Sequence, residues 1–444
     1  MGLKQKLEHT LKHNVAVQAI YRVTMSAAFR FLGLFVRQDK RLVLMNGHGY
    51  KYNDSPRAIH RRMVELGMDK TYRIVWALHD PDAYDIPGEV ETVKMDTLRY
   101  FITALKAKWW VSCVNIERAL RFKKRSTVYM NTWHGAIINL CGNAVSGRRD
   151  FHFENVDYFC VNSEAEGDFC IRDFNLLPAS IVHTGYPRND ELYHVTDERR
   201  AELRRALGIP EGKRVILYAP TWRESTDGGA SYKLAPPIDF DKWQRTLGDG
   251  YVVLLRTHPY TTKLLNVTFG DFVRDATAYP EVNHLLIAAD ILISDYSSIN
   301  LDYSILGKPM LCFGYDYEEY NRLRGFYYDL ETTMPGGVVR DEDTLLERML
   351  HMDVEAACAE TRRYRDTYMK FGDSHAADAC VRLLFGEATP TAPEAAEAPE
   401  AAEAPEAAEA PEAAEAPEAT EAPEAAKATE ATEAPEAAEP PADN

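Results

Sequence analysis

Two doubly wound α/β halves facing each other across a cleft are the fold this sequence predicts, and three observations predict it. Short apolar runs rich in β-branched residues alternate with helical spacing through residues 42–387, the pattern of parallel sheets covered by helices. A charged stretch of helical pattern, Thr196–Gly208, divides that alternation in two. In both parts the strands run into polar loops carrying His, Arg, Thr or Ser, at the carboxyl ends where such sheets bind ligands.

The expected organisation is a basic amphipathic segment over 1–41, Rossmann-like domains over 42–195 and 196–387, and a low-complexity tail over 388–444. The tail is a near-perfect PEAAEA repeat with fifteen Glu, Asp443 and a single Lys427, a net charge of −15. Almost no aromatic or β-branched side chain is there to be buried, and Pro interrupts any Ala/Glu helix, so a disordered spacer is expected. The whole chain carries −17, which leaves only −2 for residues 1–387. That near-neutral body is compatible with an anionic substrate or an anionic membrane surface. Seven scattered cysteines without CxxC or Cys/His spacing read as free thiols, not as a disulfide framework or zinc site. No metal, cofactor or nucleic acid is expected.

Residues 1–41 hold Lys4, Lys6, Lys12, Arg22, Arg30, Arg37, Lys40 and Arg41 against Glu8 and Asp39. They lack a signal-peptide cleavage site. Arg22 and Arg30 fall inside the apolar stretch Asn14–Val36, which makes a bilayer crossing costly. With Val15, Ile20, Tyr21, Phe29, Phe31, Leu32, Leu34 and Phe35, the segment suits a helix lying on anionic lipid; the alternative is a helix packed on its own domain or a partner.

In the first domain Leu42–Met45 reads as a strand followed by the polar loop NGHGYKYND, then a helix over Ser55–Gly67 and strands at Tyr72–Leu78, into Val114, and at Thr127–Asn131. After the last comes NTWHGAIINLCG, which places Thr132, Trp133, His134 and Gly135 on a strand-to-helix turn, with His134 at the mouth of the sheet. An imidazole there is either an acid/base group or a structural hydrogen-bonding residue. A later strand ends in GYPRND, where Arg188 can reach a cleft. In the second domain RVILYA (214–219) runs into Pro220, Thr221, Trp222 and Arg223, and YVVLL (251–255) into Arg256, Thr257 and His258. DILISDYSSINLDYSILGKPMLCF (290–313) gives a strand, a turn and a helix stopped by Gly307. Ser297 and Ser298 stand where a helix presents free N–H groups, an arrangement that suits a phosphate; the alternative is one capping serine and one solvated serine. Neither GxGxxG nor GxxxxGK[ST] occurs, which argues against a dinucleotide dehydrogenase and a P-loop NTPase and leaves a nucleotide-donor transferase.

TWHG (132–135), GYPRND (185–190), APTWR (219–223), RTHP (256–259) and DYSSINLD (295–302), in this order, resemble the CDP-glycerol glycerophosphotransferase family of teichoic acid synthesis; RGFYYD (324–329) and the loop near Tyr50–Pro56 resemble it too. The resemblance spans roughly Leu42–Leu384. It implies a GT-B fold, the first domain on the acceptor side, and a primase-sized enzyme at the cytoplasmic face of a bacterial membrane. Glycerol phosphate passes from CDP-glycerol, or ribitol phosphate from CDP-ribitol, to a hydroxyl of a lipid-linked acceptor, and CMP leaves. It implies His134 as base and His258 as a second catalytic His. Thr132, Trp133, Gly135, Arg188, Pro220, Thr221, Arg256, Ser297, Ser298 and Asp302 are implied to bind substrate. Where the family often has Thr-Pro and then lysines after WHG, this chain has Ala136, Ile137, Ile138 and Asn139. A GT-B glycosyltransferase using a nucleotide sugar and an inactive scaffold are the other readings.

Overall fold

The computed structural model describes residues 15–146, 148, 151–221, 223, 236–257, 265 and 267–386. His258 and the PEAAEA tail lie outside the described residues, as do residues 1–14 of the basic segment.

Two parallel sheets form the body. The first contains β1 (Asp39–Asn46), β2 (Arg73–Leu78), β3 (Val90–Lys94), β4 (Ala107–Ser112), β5 (Val128–Asn131), β6 (Tyr158–Cys160) and β7 (Ile181–Val182), in the order 3-2-1-4-5-6-7. The second contains β8 (Arg214–Ala219), β9 (Tyr251–Leu255), β10 (Val273–Asp275), β11 (Ile291–Ser294), β12 (Met310–Phe313) and β13 (Val338–Val339), in the order 10-9-8-11-12-13. Their central strands are buried on both faces, which is why β8, β9 and β11 read as continuous apolar runs. Both sheets reverse their strand order once, between β1 and β4 and between β8 and β11. Crevices open at such reversals. His48 and Cys113 stand at the first and Thr221 and Asp295 at the second; of these loops the sequence marks out those of His48, Thr221 and Asp295.

The halves are joined by bonds between distant residues. Arg57 of helix Asp54–Glu65 forms a bidentate pair with Glu281, and Asn283 Nδ2 donates to the Arg188 carbonyl at 2.7 Å. Helix Ala376–Phe385 falls within the residues that the sequence groups with the second half, yet it packs on the first. Phe385 meets Tyr72 and Trp109, with ring centroids 4.5 and 5.0 Å away, and Cys380 Sγ lies 3.6 Å from Cys160 Sγ. Asp190 accepts the N–H groups of Ala376 and Ala377 at the start of that helix, and burial pushes its pKa up to about 6.

Helix Val15–Phe35 has two unlike faces. Phe29 is buried and stacks on Phe101 at 4.4 Å, and Ser26 Oγ accepts the Arg121 N–H. The opposite face leaves Ile20, Val23, Phe31 and Leu34 exposed, by 66, 71, 64 and 77%. Among the described residues no helix is long and apolar enough to cross a membrane.

Candidate active site

The first crevice is built on β1, β4 and β5. Ser112 at the end of β4 donates to Asn46 at the end of β1, and its carbonyl accepts the Thr132 N–H at 2.8 Å. The chain then turns sharply. Asn131 Oδ1 accepts the Trp133 N–H at 2.8 Å, and Trp133 takes a left-handed φ of 51°. Such a φ is strained in a bulky residue, to about 1–3 kcal/mol. The indole is anchored among aromatic rings, with Phe174 at 4.6 Å and Phe153 at 6.0 Å, and this packing holds the turn.

The turn presents His134. Its Nδ1 lies 2.9 Å from the Cys113 carbonyl. A carbonyl can only accept, so Nδ1 carries the proton and Nε2 keeps its lone pair. The ring stacks on His48 at 4.9 Å. Burial, then the His48 imidazole, hold the His134 pKa down at about 4, so the ring is neutral at physiological pH. His48 is also lowered, by burial first, although Asp54 pulls the other way.

Arg188 ties this crevice to the second half. It donates to the His134 carbonyl at 2.8 Å and to Asp302 at 2.6 Å, with Asp54 at 3.4 Å. Asn189 Nδ2 reaches the other Asp302 oxygen at 2.7 Å. Burial works against the guanidinium charge, but Asp302 and Asp54 outweigh it and the Arg188 pKa is raised. Arg188 and Asp302, both expected to face a ligand, are thus paired with each other.

The second crevice holds its charges inside the protein. Asp295 accepts the Thr221 N–H at 2.8 Å and pairs with Arg223 at 2.9 Å; Arg223 also pairs with Asp316 at 2.7 Å. Arg256 is half-buried and donates to the carbonyls of Ala276 and Tyr279 at 3.1 and 2.7 Å. Pro220 is half-buried at the end of β8. Ser297 Oγ accepts the Ile299 N–H at 3.3 Å, while Ser298 at the N-cap position makes no side-chain cap bond. That helix is only Ile299–Ser304, too short for a large macrodipole. What it offers an anion is local, the Ser298 hydroxyl, because its first-turn N–H groups are already bonded: Ile299 to Ser297 Oγ, Asn300 to the Ser297 carbonyl, and Leu301 and Asp302 to the Ser298 carbonyl.

The crevices approach each other at Gly135 and Ser298. A Cβ on Gly135 would come within 2.8 Å of Ser298 Oγ, so a larger residue there would have to displace the Ser298 hydroxyl. Thr132, by contrast, is 0% exposed and has no surface for a ligand. The helix expected after TWHG is not formed. Residues 136–140 cross to the second half, where Asn139 forms an antiparallel bridge with Phe326. Their backbone groups bond outward, Ile137 N–H to Glu166 and Leu140 N–H to the Gly325 carbonyl, which removes the bonds that a helix would need. His48, Asp54 and Glu166 were not singled out in the sequence. His48 carried the same signal as His134, an imidazole in a glycine-bearing loop at a strand's carboxyl end.

Two doubly wound sheets with opposed switch points define a GT-B-like fold. Residues 27–386 match the family described as CDP-Glycerol:Poly(glycerophosphate) glycerophosphotransferase, and the chain belongs to that family. It is 31% identical over 334 residues to a teichoic acid poly(glycerol phosphate) polymerase of Staphylococcus epidermidis, covering 71% of this chain but 46% of that protein, so it spans about half of that relative's length. Another polymerase of the same description, from Bacillus spizizenii, is 28% identical over 340 residues, covering 72% of this chain and 86% of that protein. A solved structure of the wall teichoic acid polymerase TagF with CDPG superposes with a TM-score of 0.71 at 27% identity, covering 83% of this chain and 96% of that chain.

Proposed function

We propose that the chain transfers glycerol phosphate from CDP-glycerol to a hydroxyl of a membrane lipid-linked acceptor, in the synthesis of teichoic acid or a related cell-surface polymer. The observation that carries this reading is the tautomer of His134. With Nδ1 bound to the Cys113 carbonyl at 2.9 Å, Nε2 is a free base on the turn that touches Ser298. The acceptor hydroxyl gives its proton to Nε2, its oxygen bonds to the β-phosphorus, the bond to the bridging oxygen breaks, and CMP departs. Such a reaction needs positioning and charge stabilisation more than covalent catalysis. Ser298 supplies a donor, and Arg188 holds the His134 carbonyl in place.

The test is to incubate the purified protein with CDP-glycerol or CDP-ribitol and a panel of lipid-linked acceptors, reading products by mass spectrometry. A glycerol phosphate added to the acceptor with matching CMP release is expected. Transfer of ribitol phosphate alone changes the donor; turnover of sugar nucleotides alone overturns the reading.

The exposed face of helix Val15–Phe35 supports attachment at the membrane, where such an acceptor resides. Ile20, Val23, Phe31 and Leu34 project on one side, with Arg30 exposed at its edge. Phe31→Ser with Leu34→Ser is expected to abolish co-sedimentation with phosphatidylglycerol vesicles while sparing turnover of a soluble acceptor analogue. Equal sedimentation of variant and wild type would sink the attachment. Point variants are preferable to deletion, which would uncover Phe101 and Phe122 beneath Phe29.

A further inference from the structure

We infer that Asn139 is a positioning residue that sets the donor-binding turn at Ser297 against the base His134, an inference that rests on the transfer reaction proposed above. Residues 135–140 are fixed at both ends. On the first half, Glu166 accepts the Ile137 N–H at 3.1 Å and the Tyr186 hydroxyl at 2.9 Å. On the second half, the Ile138 carbonyl accepts the Tyr327 N–H at 2.9 Å and the Gly325 carbonyl accepts the Leu140 N–H at 3.0 Å. Gly325 has a φ of +71°, and a Cβ there would meet Leu140 at 2.6 Å. The strip leaving His134 is therefore tied directly to the second half.

Asn139 makes the one side-chain bond of that strip to the donor turn among the described residues: its Nδ2 donates to the Tyr296 carbonyl at 3.1 Å. That carbonyl belongs to the same peptide unit as the Ser297 N–H. A trans peptide is planar with C=O and N–H opposed, so holding the carbonyl aims the N–H the other way. A bond accepted by the carbonyl also polarises the unit and strengthens the N–H as a donor. A fixed donor of this kind stabilises charge that develops on a phosphoryl oxygen. Asn139 thus acts on the donor through the peptide beyond it, while its own backbone continues the chain from His134.

The other end of the same amide argues against a purely structural role. Asn139 Oδ1 is buried without a hydrogen-bond partner, and an unpaired buried acceptor lowers stability. Removing the side chain relieves that acceptor while unpairing the Tyr296 carbonyl, so the two effects on stability oppose each other.

The experiment compares wild type with Asn139→Ala and the nearly isosteric Asn139→Asp, measuring melting temperature, CDP-glycerol affinity by calorimetry, and kcat at saturating donor. For Asn139→Ala the melting temperature should be unchanged and the Kd for CDP-glycerol about 2- to 10-fold weaker, the worth of one neutral hydrogen bond. Its kcat should fall about 10- to 100-fold, as expected for a small misplacement of reacting groups. Asn139→Asp should lose more, because a carboxylate cannot donate to the Tyr296 carbonyl and sets a negative charge beside an anionic donor. Variants with lower melting temperature but wild-type kcat and Kd would make Asn139 merely structural and overturn the inference alone. A wild-type protein that turns over neither CDP-glycerol nor CDP-ribitol would overturn the proposed reaction and this inference with it. Should Asn139→Ala fail to fold, Asn139→Asp decides by the same measurements.

Discussion

At the first switch point the polar groups are neutral imidazoles set by a backbone carbonyl; at the second they are hydroxyls and N–H groups backed by charges already paired within the protein. Strand order is the same on both sides but for the extra edge strand β7 of the first sheet. The difference lies in what each loop leaves unpaired. His134 keeps one basic nitrogen, and Asp54 acts on it less than burial and His48 do, which suits proton transfer. Around Ser298, Asp295, Arg223 and Asp316 satisfy one another, and Arg256 is bonded to carbonyls. In the proposed reaction, binding there rests on dipoles.

His134→Ala tests this division with the largest effect. Turnover should fall by about 10²- to 10⁴-fold, the usual contribution of a general base, while calorimetric affinity for CDP-glycerol stays within a few-fold of wild type. A loss seen mainly in affinity would erase the contrast between the crevices. Next come the two serines, taken separately. Ser298→Ala should weaken CDP-glycerol binding by about tenfold or more, as a charge-assisted hydrogen bond is worth about 1.5–3 kcal/mol, with no change in melting. Ser297→Ala removes the acceptor for the Ile299 N–H and should destabilise the protein by about 0.5–2 kcal/mol. Identical behaviour of the two variants would show that the turn acts as one cap.

The smallest effect is on pH dependence. A base works unprotonated, and with a pKa of about 4 His134 stays active down the acid range, so kcat/KM should fall only toward pH 4. Part of that depression comes from His48, whose own charge opposes a second proton 4.9 Å away. His48→Gln should therefore move the acid limb to higher pH. An unmoved limb would mean that burial alone sets it.

Much of this was legible in the sequence where burial is two-sided. Arg214–Ala219 and Tyr251–Leu255 coincide with the observed strands because every residue after the first or second packs between layers. Strand Val90–Lys94 escaped notice because it is the edge strand, half-exposed and charged. At the site Gly135, next to His134, stands against Ser298, two positions that the resemblance names. The pairing of Arg188 with Asp302 was not legible: both have the residue type of a ligand contact, and only the fold shows that they reach each other. Nor does a sequence reveal the Cys113 carbonyl, a backbone group that decides which imidazole nitrogen is basic. The helix expected after TWHG was misread because helical spacing cannot report that Ile138 and Leu140 pair with residues from the other half.

The packing of helix Ala376–Phe385 on the first sheet has a consequence for synthesis. A ribosome releases the first seven strands long before the element that covers Tyr72, Trp109 and Cys160. At typical elongation rates the interval is roughly 10–40 s, far longer than most small domains need to fold. During that time the nascent first half exposes an apolar groove, and its Asp190 has no helix start to bond. All six strands of the second sheet emerge in that interval, so the protein completes its beginning last. The first half made alone, residues 15–195, should therefore be poorly soluble, and a supplied peptide of residues 373–386 should rescue it.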